Sequence, residues 1–204
     1  LPALKNNFVT FGCLNKLTKV NNEAIALWSK ILLSIPSSKL LLKSKDFDDQ
    51  IIIENTFERF KKCNIEKNRL VLQGKSSTRK EVLEVFNRID IALDPFPFQG
   101  NTSTCEAVWM GVPVITVPGE TFASRHSLSH LTNVGVPELV ADDVADYVAK
   151  AVELANDIPR LSVYRSGLRD QMANSPLCDG GKFARDFTSA MRDIWREWCY
   201  SQNP

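Results

Sequence analysis

Much is missing from this sequence, and the gaps narrow its chemistry. No apolar run approaches the ~20 residues that a membrane-spanning helix needs. The longest, around Ile31-Leu32-Leu33, is broken by Ser34 and Pro36. Cysteines number five, Cys13, Cys63, Cys105, Cys178 and Cys199, with irregular spacing and no CxxC pair. That excludes a disulfide framework or zinc cage as the organising device, and reduced thiols fit a cytoplasmic protein. Neither GxGxxG nor GxxxxGK[ST] occurs, so the dinucleotide and P-loop signatures are absent. GxSxG and HExxH are absent as well. The two histidines, His126 and His130, stand at i and i+4 without a third ligand nearby, so no metal is expected. The net charge is only +1, too little for nucleic-acid binding by bulk charge. Neither an initiator Met nor a signal-peptide pattern opens the chain, which reads as a piece of something longer.

What is present suits one α/β domain. The 204 residues are 44% hydrophobic and 24% charged, enough to build a core. Charge is uneven: residues 1–80 hold 15 Lys and Arg against 7 Asp and Glu, and residues 81–204 hold 10 against 17. A basic half could attract phosphates, and a solvated lysine-rich surface is the plainer reading. Strand patterns are expected at Phe8–Phe11 (ending at Gly12), Lys39–Lys43, Leu70–Leu72, Ile89–Asp94 and Val114–Val117, with a short last piece at Leu139-Val140. Helices are expected at about 22–35, 46–63, 78–86, 102–110, 122–132, 142–156, 158–172 and 182–199. Thr78 with Glu81 matches a capping box, and Val82, Val85 and Phe86 supply that helix's apolar face. The alternation predicts a parallel, Rossmann-like sheet flanked by helices. One domain over residues 1–204 is expected, with an α/β core to about 157 and a helical extension over about 158–204. In the extension Phe183, Phe187, Met191, Ile194, Trp195 and Trp198 form an apolar stripe, either core or a face for a partner lobe.

Ligands of open α/β sheets bind beyond the C-terminal ends of the strands. Two segments suit that place: Asn15-Lys16-Leu17-Thr18-Lys19, and the turn from Asp94 to Glu106. In the second, Gly100-Asn101-Thr102-Ser103-Thr104 sets small and hydroxyl residues at a helix start. Free N–H groups and the helix dipole there favour an anion such as a diphosphate. Gly100 would allow close approach of the ligand. Glu106 shares a face with Thr102 at i+4 and could accept from a ribose diol. The bland alternative is that Thr102 or Ser103 caps the helix and Glu106 is a surface acid. Lys19 could neutralise a departing phosphate, or be solvated.

The stretch Ile89-Asp90-Ile91-Ala92-Leu93-Asp94-Pro95-Phe96-Pro97-Phe98-Gln99-Gly100-Asn101-Thr102-Ser103-Thr104-Cys105-Glu106-Ala107-Val108-Trp109-Met110-Gly111-Val112-Pro113-Val114 closely resembles one family. It is similar to the C-terminal catalytic region of O-linked N-acetylglucosamine transferases and SPINDLY-like proteins, glycosyltransferase family 41. Pro118 to Arg125, Leu131 to Gly135, Phe11-Gly12 with Asn15 and Lys19, and Ser175-Pro176-Leu177 also match. The resemblance runs over nearly the whole chain. It implies the donor-binding lobe of a GT-B fold, with the N-terminal lobe and tetratricopeptide repeats outside this chain.

By that resemblance Lys19 is the catalytic cation that binds the diphosphate. Thr102 and Ser103 contact phosphate, Glu106 holds the ribose, and Arg79 stands where a lysine near the base is usual. Asn15, Lys16, Ser77, Val82, Gly100 and Asn101 complete the implied donor site. Three positions depart from the family. Lys16 replaces Gln or Asn, Asn101 replaces His or Thr, and Val82 falls where a His stacks on the base. The implied activity is inverting transfer of N-acetylglucosamine from UDP to Ser or Thr of an acceptor protein. GDP-fucose as donor, or a non-catalytic nucleotide-sugar-binding module, are the alternatives. The expected partners are the nucleotide sugar, an acceptor protein and the missing lobe, with no cofactor, nucleic acid or membrane.

Overall fold

The computed structural model describes residues 1–202. Short apolar strands alternate with amphipathic helices, and this pattern produces a five-stranded parallel sheet. Strands β1 (Thr10–Cys13), β2 (Lys39–Lys43), β3 (Leu70–Gln73), β4 (Ile91–Leu93) and β5 (Val114–Ile115) lie in the order β3-β2-β1-β4-β5. Parallel sheets covered on both faces need strands without alternation, and Leu40, Leu41 and Leu42 are all buried.

β1 begins two residues later than its apolar pattern suggests, so Gly12 lies inside the strand rather than after it. Phe11 and Gly12 pair with Leu40 and Leu41 on one side and with Ile91 and Ala92 on the other. A Cβ at Gly12 would come within 2.3 Å of the Ile89 side chain, so only glycine fits. The final strand is shorter than expected. Thr116 and Val140 form an isolated bridge in place of further ladder.

The short α1 (Pro2–Asn6) is followed by α2 (Asn22–Ser34), capped by the Asn21 side chain at Ala24 N, 2.8 Å. The expected helix at 46–63 is split. A 3-10 turn at Lys45–Asp48 precedes α3 (Gln50–Lys61), because the Asp49 side chain caps at Ile51 N and restarts the chain there. Thr78 caps α4 (Arg79–Glu84) at Glu81 N, and the Glu81 carboxylate accepts from Ser77 N rather than Thr78 N. The chain then tightens into a 3-10 turn at Val85–Arg88, with Val85 and Phe86 buried. Helix α5 (Thr102–Trp109) follows β4. The next helix, expected from 122, opens as a 3-10 turn at Phe122–Ser124 and becomes α6 only at His126–Val134.

Helices α7 (Val144–Asn156) and α8 (Ile158–Ala173) complete the body. Leu161 and Leu168 of α8 are fully buried. The Arg165 guanidinium donates to the carbonyls of Ile89, Met110 (3.0 Å) and Phe86 (3.3 Å), tying α8 to both ends of the β4 unit. Gly111 adopts φ 73°, and its Cα faces the Arg165 carbonyl closely enough that a Cβ would sit 2.5 Å away. Helix α9 (Gly180–Gln202) differs. Its stripe from Phe183 to Trp198 is exposed, each of the six side chains by 46–67%.

Candidate functional site

The strand order turns between β1 and β4. The loops leaving the C-terminal ends of these two strands therefore diverge and leave a crevice. A cleft of about 700 Å³ occupies it. One wall is the segment after β1, with Asn15, Lys16 and Lys19, and the facing wall is the start of α5, with Asn101, Thr102, Ser103 and Glu106. Arg79 and Val82 of α4 close one end, and Phe98 contributes from the loop after β4.

That loop is held from below. Asp94 directly follows β4 and is buried, its carboxylate accepting from Gly100 N at 2.7 Å and from the Thr116 hydroxyl at 2.8 Å. Burial pushes the Asp94 carboxyl above its ordinary range, and these bonds oppose the shift. The Asp94 carbonyl accepts from the Tyr147 hydroxyl at 3.0 Å, which in turn accepts from the Trp28 indole at 3.0 Å. Gln99 is wholly buried; its side chain donates to Val117 O and accepts from Ser127 N. The loop is thus fixed on both sides before α5 begins.

Lys19 lies on a 3-10 turn at Leu17–Lys19. Its Nζ donates to Gln99 O at 2.7 Å and approaches Asn15 Oδ1 at 3.4 Å, and it stands 4.1 Å from the centre of the Phe98 ring. An ammonium has three donors, so one N–H is left for a ligand. Partial burial lowers the Lys19 pKa, and the Asp94 carboxylate resists that lowering. Ser103 Oγ donates to Asn15 Oδ1 at 3.0 Å, so Asn15 links the two walls.

Asn101 is the N-cap of α5, but its side chain accepts no N–H from the helix, and neither Thr102 nor Ser103 acts as cap. Thr104 N and Cys105 N bond to the Asn101 carbonyl. Among the described residues nothing accepts from Thr102 N or Ser103 N. Two donors at the positive end of a helix therefore face the cleft, the arrangement that seats an anion.

Two expected site residues are not on the cleft wall. Ser77 lies outside it, with its N–H bonded to Glu81. Gly100 lies beneath it, its N–H spent on Asp94. Glycine is required there because a Cβ would meet Thr104 Oγ1 at 2.5 Å and Ser103 Oγ at 2.8 Å. The close approach seen at Gly100 is to Thr104, Ser103 and Asp94. Glu106 forms an ion pair with Arg79, joining α5 to α4 at one end of the cleft. Thr18, Phe98 and the Gln99 carbonyl, all within the two segments expected to form the site, join the individually expected residues there. The aromatic pair Phe96 and Phe98 around a proline was the available hint for Phe98.

Val82, on α4, borders a second cavity of about 610 Å³, whose wall includes Lys16, Lys43, Lys45 and Lys75. Among the described residues no group of three or more His, Cys, Asp or Glu is placed to hold a metal ion, and no helix is long and apolar enough to cross a membrane.

Residues 2–187 match the family model for glycosyl transferase family 41. The chain belongs to that family. The chain is 38% identical over 203 residues to the Arabidopsis thaliana "Probable UDP-N-acetylglucosamine--peptide N-acetylglucosaminyltransferase SPINDLY", covering 100% of this chain and 22% of that protein. A Caenorhabditis elegans UDP-N-acetylglucosamine--peptide N-acetylglucosaminyltransferase is 29% identical over 196 residues, covering 96% of this chain and 17% of that one. The family 41 chain thus spans about a fifth of the length of the curated SPINDLY relatives it matches. A solved Thermobaculum terrenum O-GlcNAc transferase mutant superposes with a TM-score of 0.90 at 34% identity, covering 95% of this chain and 37% of that chain. The Anabaena HepE structure with UDP and glucose shares the fold at a TM-score of 0.65 and 12% identity, covering 92% of this chain and 52% of that one. A GT-B-type lobe is therefore the architecture of this family 41 chain.

Proposed function

We propose that this chain is the donor-binding lobe of an inverting protein O-glycosyltransferase. The observation that carries the reading is the convergence of Lys19 with the open Thr102 and Ser103 N–H groups on one cleft. A nucleoside diphosphate sugar lies with its phosphates against α5 and its ribose near Glu106 and Arg79. When an acceptor Ser or Thr hydroxyl oxygen bonds to the anomeric carbon, the bond from that carbon to the diphosphate oxygen breaks and the hydroxyl proton leaves to the diphosphate or to solvent. Negative charge grows on the departing diphosphate. The Lys19 ammonium and the helix N-terminus offset it, and because both are held by the fold they need no reorganisation. These charges remove the need for a metal, so donor binding is expected to survive EDTA. UDP-N-acetylglucosamine is the preferred donor, in keeping with the names of the SPINDLY and O-GlcNAc transferase relatives.

A second reading, GDP-fucose as donor, is favoured by one observation. Val82 lines both the donor cleft and the second cavity, so no bulky ring at this position closes the cleft to a larger base. A third reading, a lobe that binds donor without catalysing transfer, separates from these by Lys19→Ala in the longer protein: unchanged turnover would favour it. The remainder of the protein supplies the acceptor side. The exposed stripe on α9 is its docking face, since the relatives extend far beyond this segment and six large apolar side chains lie open to water.

Calorimetric titration with UDP and GDP in parallel tests the assignment. Tighter UDP binding that is lost in Thr102→Ala or Glu106→Ala supports the first reading. Preference for GDP supports the second. Binding of neither nucleotide refutes the donor cleft in this chain.

A further inference from the structure

Asn101 does something unusual for an asparagine at an N-cap. Such a side chain normally accepts from the second or third helical N–H, which here are Ser103 N and Thr104 N. Thr104 N is taken by the Asn101 carbonyl at 3.1 Å, which leaves Ser103 N as the natural partner. The side chain does not take it. Its Oδ1 instead lies 2.9 Å from Nε2 of His130, on α6.

The histidine suits this task. Its Nδ1 is buried and has no hydrogen-bond partner among the described residues. Burial and the neighbouring His126 lower its pKa. A neutral ring with its proton on Nε2 donates to Asn101 Oδ1 and leaves the Asn101 NH2 group as a free donor. His130 itself is absent from the cleft wall, whereas Asn101 lines it.

We propose that His130 is a positioning residue for nucleoside diphosphate binding. By engaging Asn101 Oδ1 it prevents the side chain from capping α5. The Ser103 N–H group and the Asn101 NH2 then stay available to phosphate oxygens, beside the Thr102 N–H, which an Asn101 cap would not take. The inference rests on the donor-cleft reading above.

The test is calorimetry of the chain and its variants with UDP and GDP, and with uridine and guanosine as phosphate-free probes. His130→Ala frees Asn101 to cap Ser103 N. Affinity for the preferred diphosphate is expected to fall about tenfold, the scale of one hydrogen bond to a charged group. Affinity for the corresponding nucleoside should not change. The thermal midpoint should hold or rise, because a cap is gained, whereas a merely structural role predicts a fall. His130→Gln, which can still donate, should restore most of the affinity. Asn101→Ala should remove the effect, so that His130→Ala adds nothing in that background. An unaltered diphosphate affinity in His130→Ala, or an equal loss with and without Asn101, overturns the proposal. Failure of the unaltered chain to bind UDP or GDP overturns the donor cleft itself, and this inference with it.

Discussion

Tyr147→Phe isolates the interaction that anchors the site to the core. Trp28 on α2, Tyr147 on α7 and the Asp94 carbonyl at the end of β4 form a buried relay with two bonds of 3.0 Å. Trp28 and Tyr147 are each 1% exposed, so water cannot replace a lost partner. Removing one oxygen orphans an indole N–H and a peptide carbonyl together. Each buried group left without a partner costs about 1–3 kcal/mol. The expected loss is therefore about 2–6 kcal/mol, although almost no apolar area or volume changes. For a domain of this size that lowers the thermal midpoint by roughly 4–24 °C. Urea denaturation should show a lower midpoint with an unchanged slope, because the surface exposed on unfolding is the same. Burial holds the Tyr147 phenol well above its usual pKa, so the loss should be constant across neutral pH. A loss below about 0.5 kcal/mol would refute the claim that the relay is desolvated and needed.

Other expectations follow from the same geometry. Lys19→Ala should lower turnover of the longer protein by about 100-fold or more, the scale for one preorganised charge on a leaving group; turnover within twofold of the parent would remove Lys19 from the chemistry. Gly100→Ala should weaken both fold and nucleotide binding, since its Cβ would be 3.0 Å or less from Thr104 Oγ1, Ser103 Oγ and Asp94 Oδ1; equal thermal midpoints would contradict this. Asp94 has its pKa raised by burial, so its contribution to stability is fully present below the ordinary carboxylate pKa of 3.8 and is lost as pH rises through the folded value. Asp94→Asn should flatten that part of the stability profile, measured as urea midpoints between about pH 4 and pH 8; parallel profiles would rule the effect out. With the α9 stripe uncovered, this chain alone is expected to self-associate in sedimentation velocity, and replacing Trp195 and Trp198, both more than half exposed, with Ser should shift it toward monomer; a parent chain that sediments as a monomer would contradict this.

Local chemistry was sufficient for a large part of this protein. The apolar run Leu40-Leu41-Leu42 is a buried parallel strand, and the 3.6-residue spacing of Ile25, Trp28 and Ile31 is α2. Thr78 caps α4 because a hydroxyl can reach an N–H three residues on without any help from the rest of the chain. The family motif from Ile89 to Val114 was legible for a similar reason: strand end, loop and helix start are contiguous, so their order survives in one dimension. Long-range contact decided what remained. Gly12 lies inside β1 because Ile89, distant in sequence, packs against its Cα. Asp49 is a local exception: its carboxylate accepts from Ile51 N only two residues on and restarts a helix that periodicity alone would continue. Lys19 meets the Gln99 carbonyl across 80 residues, and Asn101 meets His130 across 29, because β1 and β4 are neighbours in the sheet and α5 and α6 pack together. Residue type and spacing determine which groups can bond or bury. Only the folded chain determines which of them arrive at the same place, and whether a stripe such as that of α9 is buried within it or left open to water.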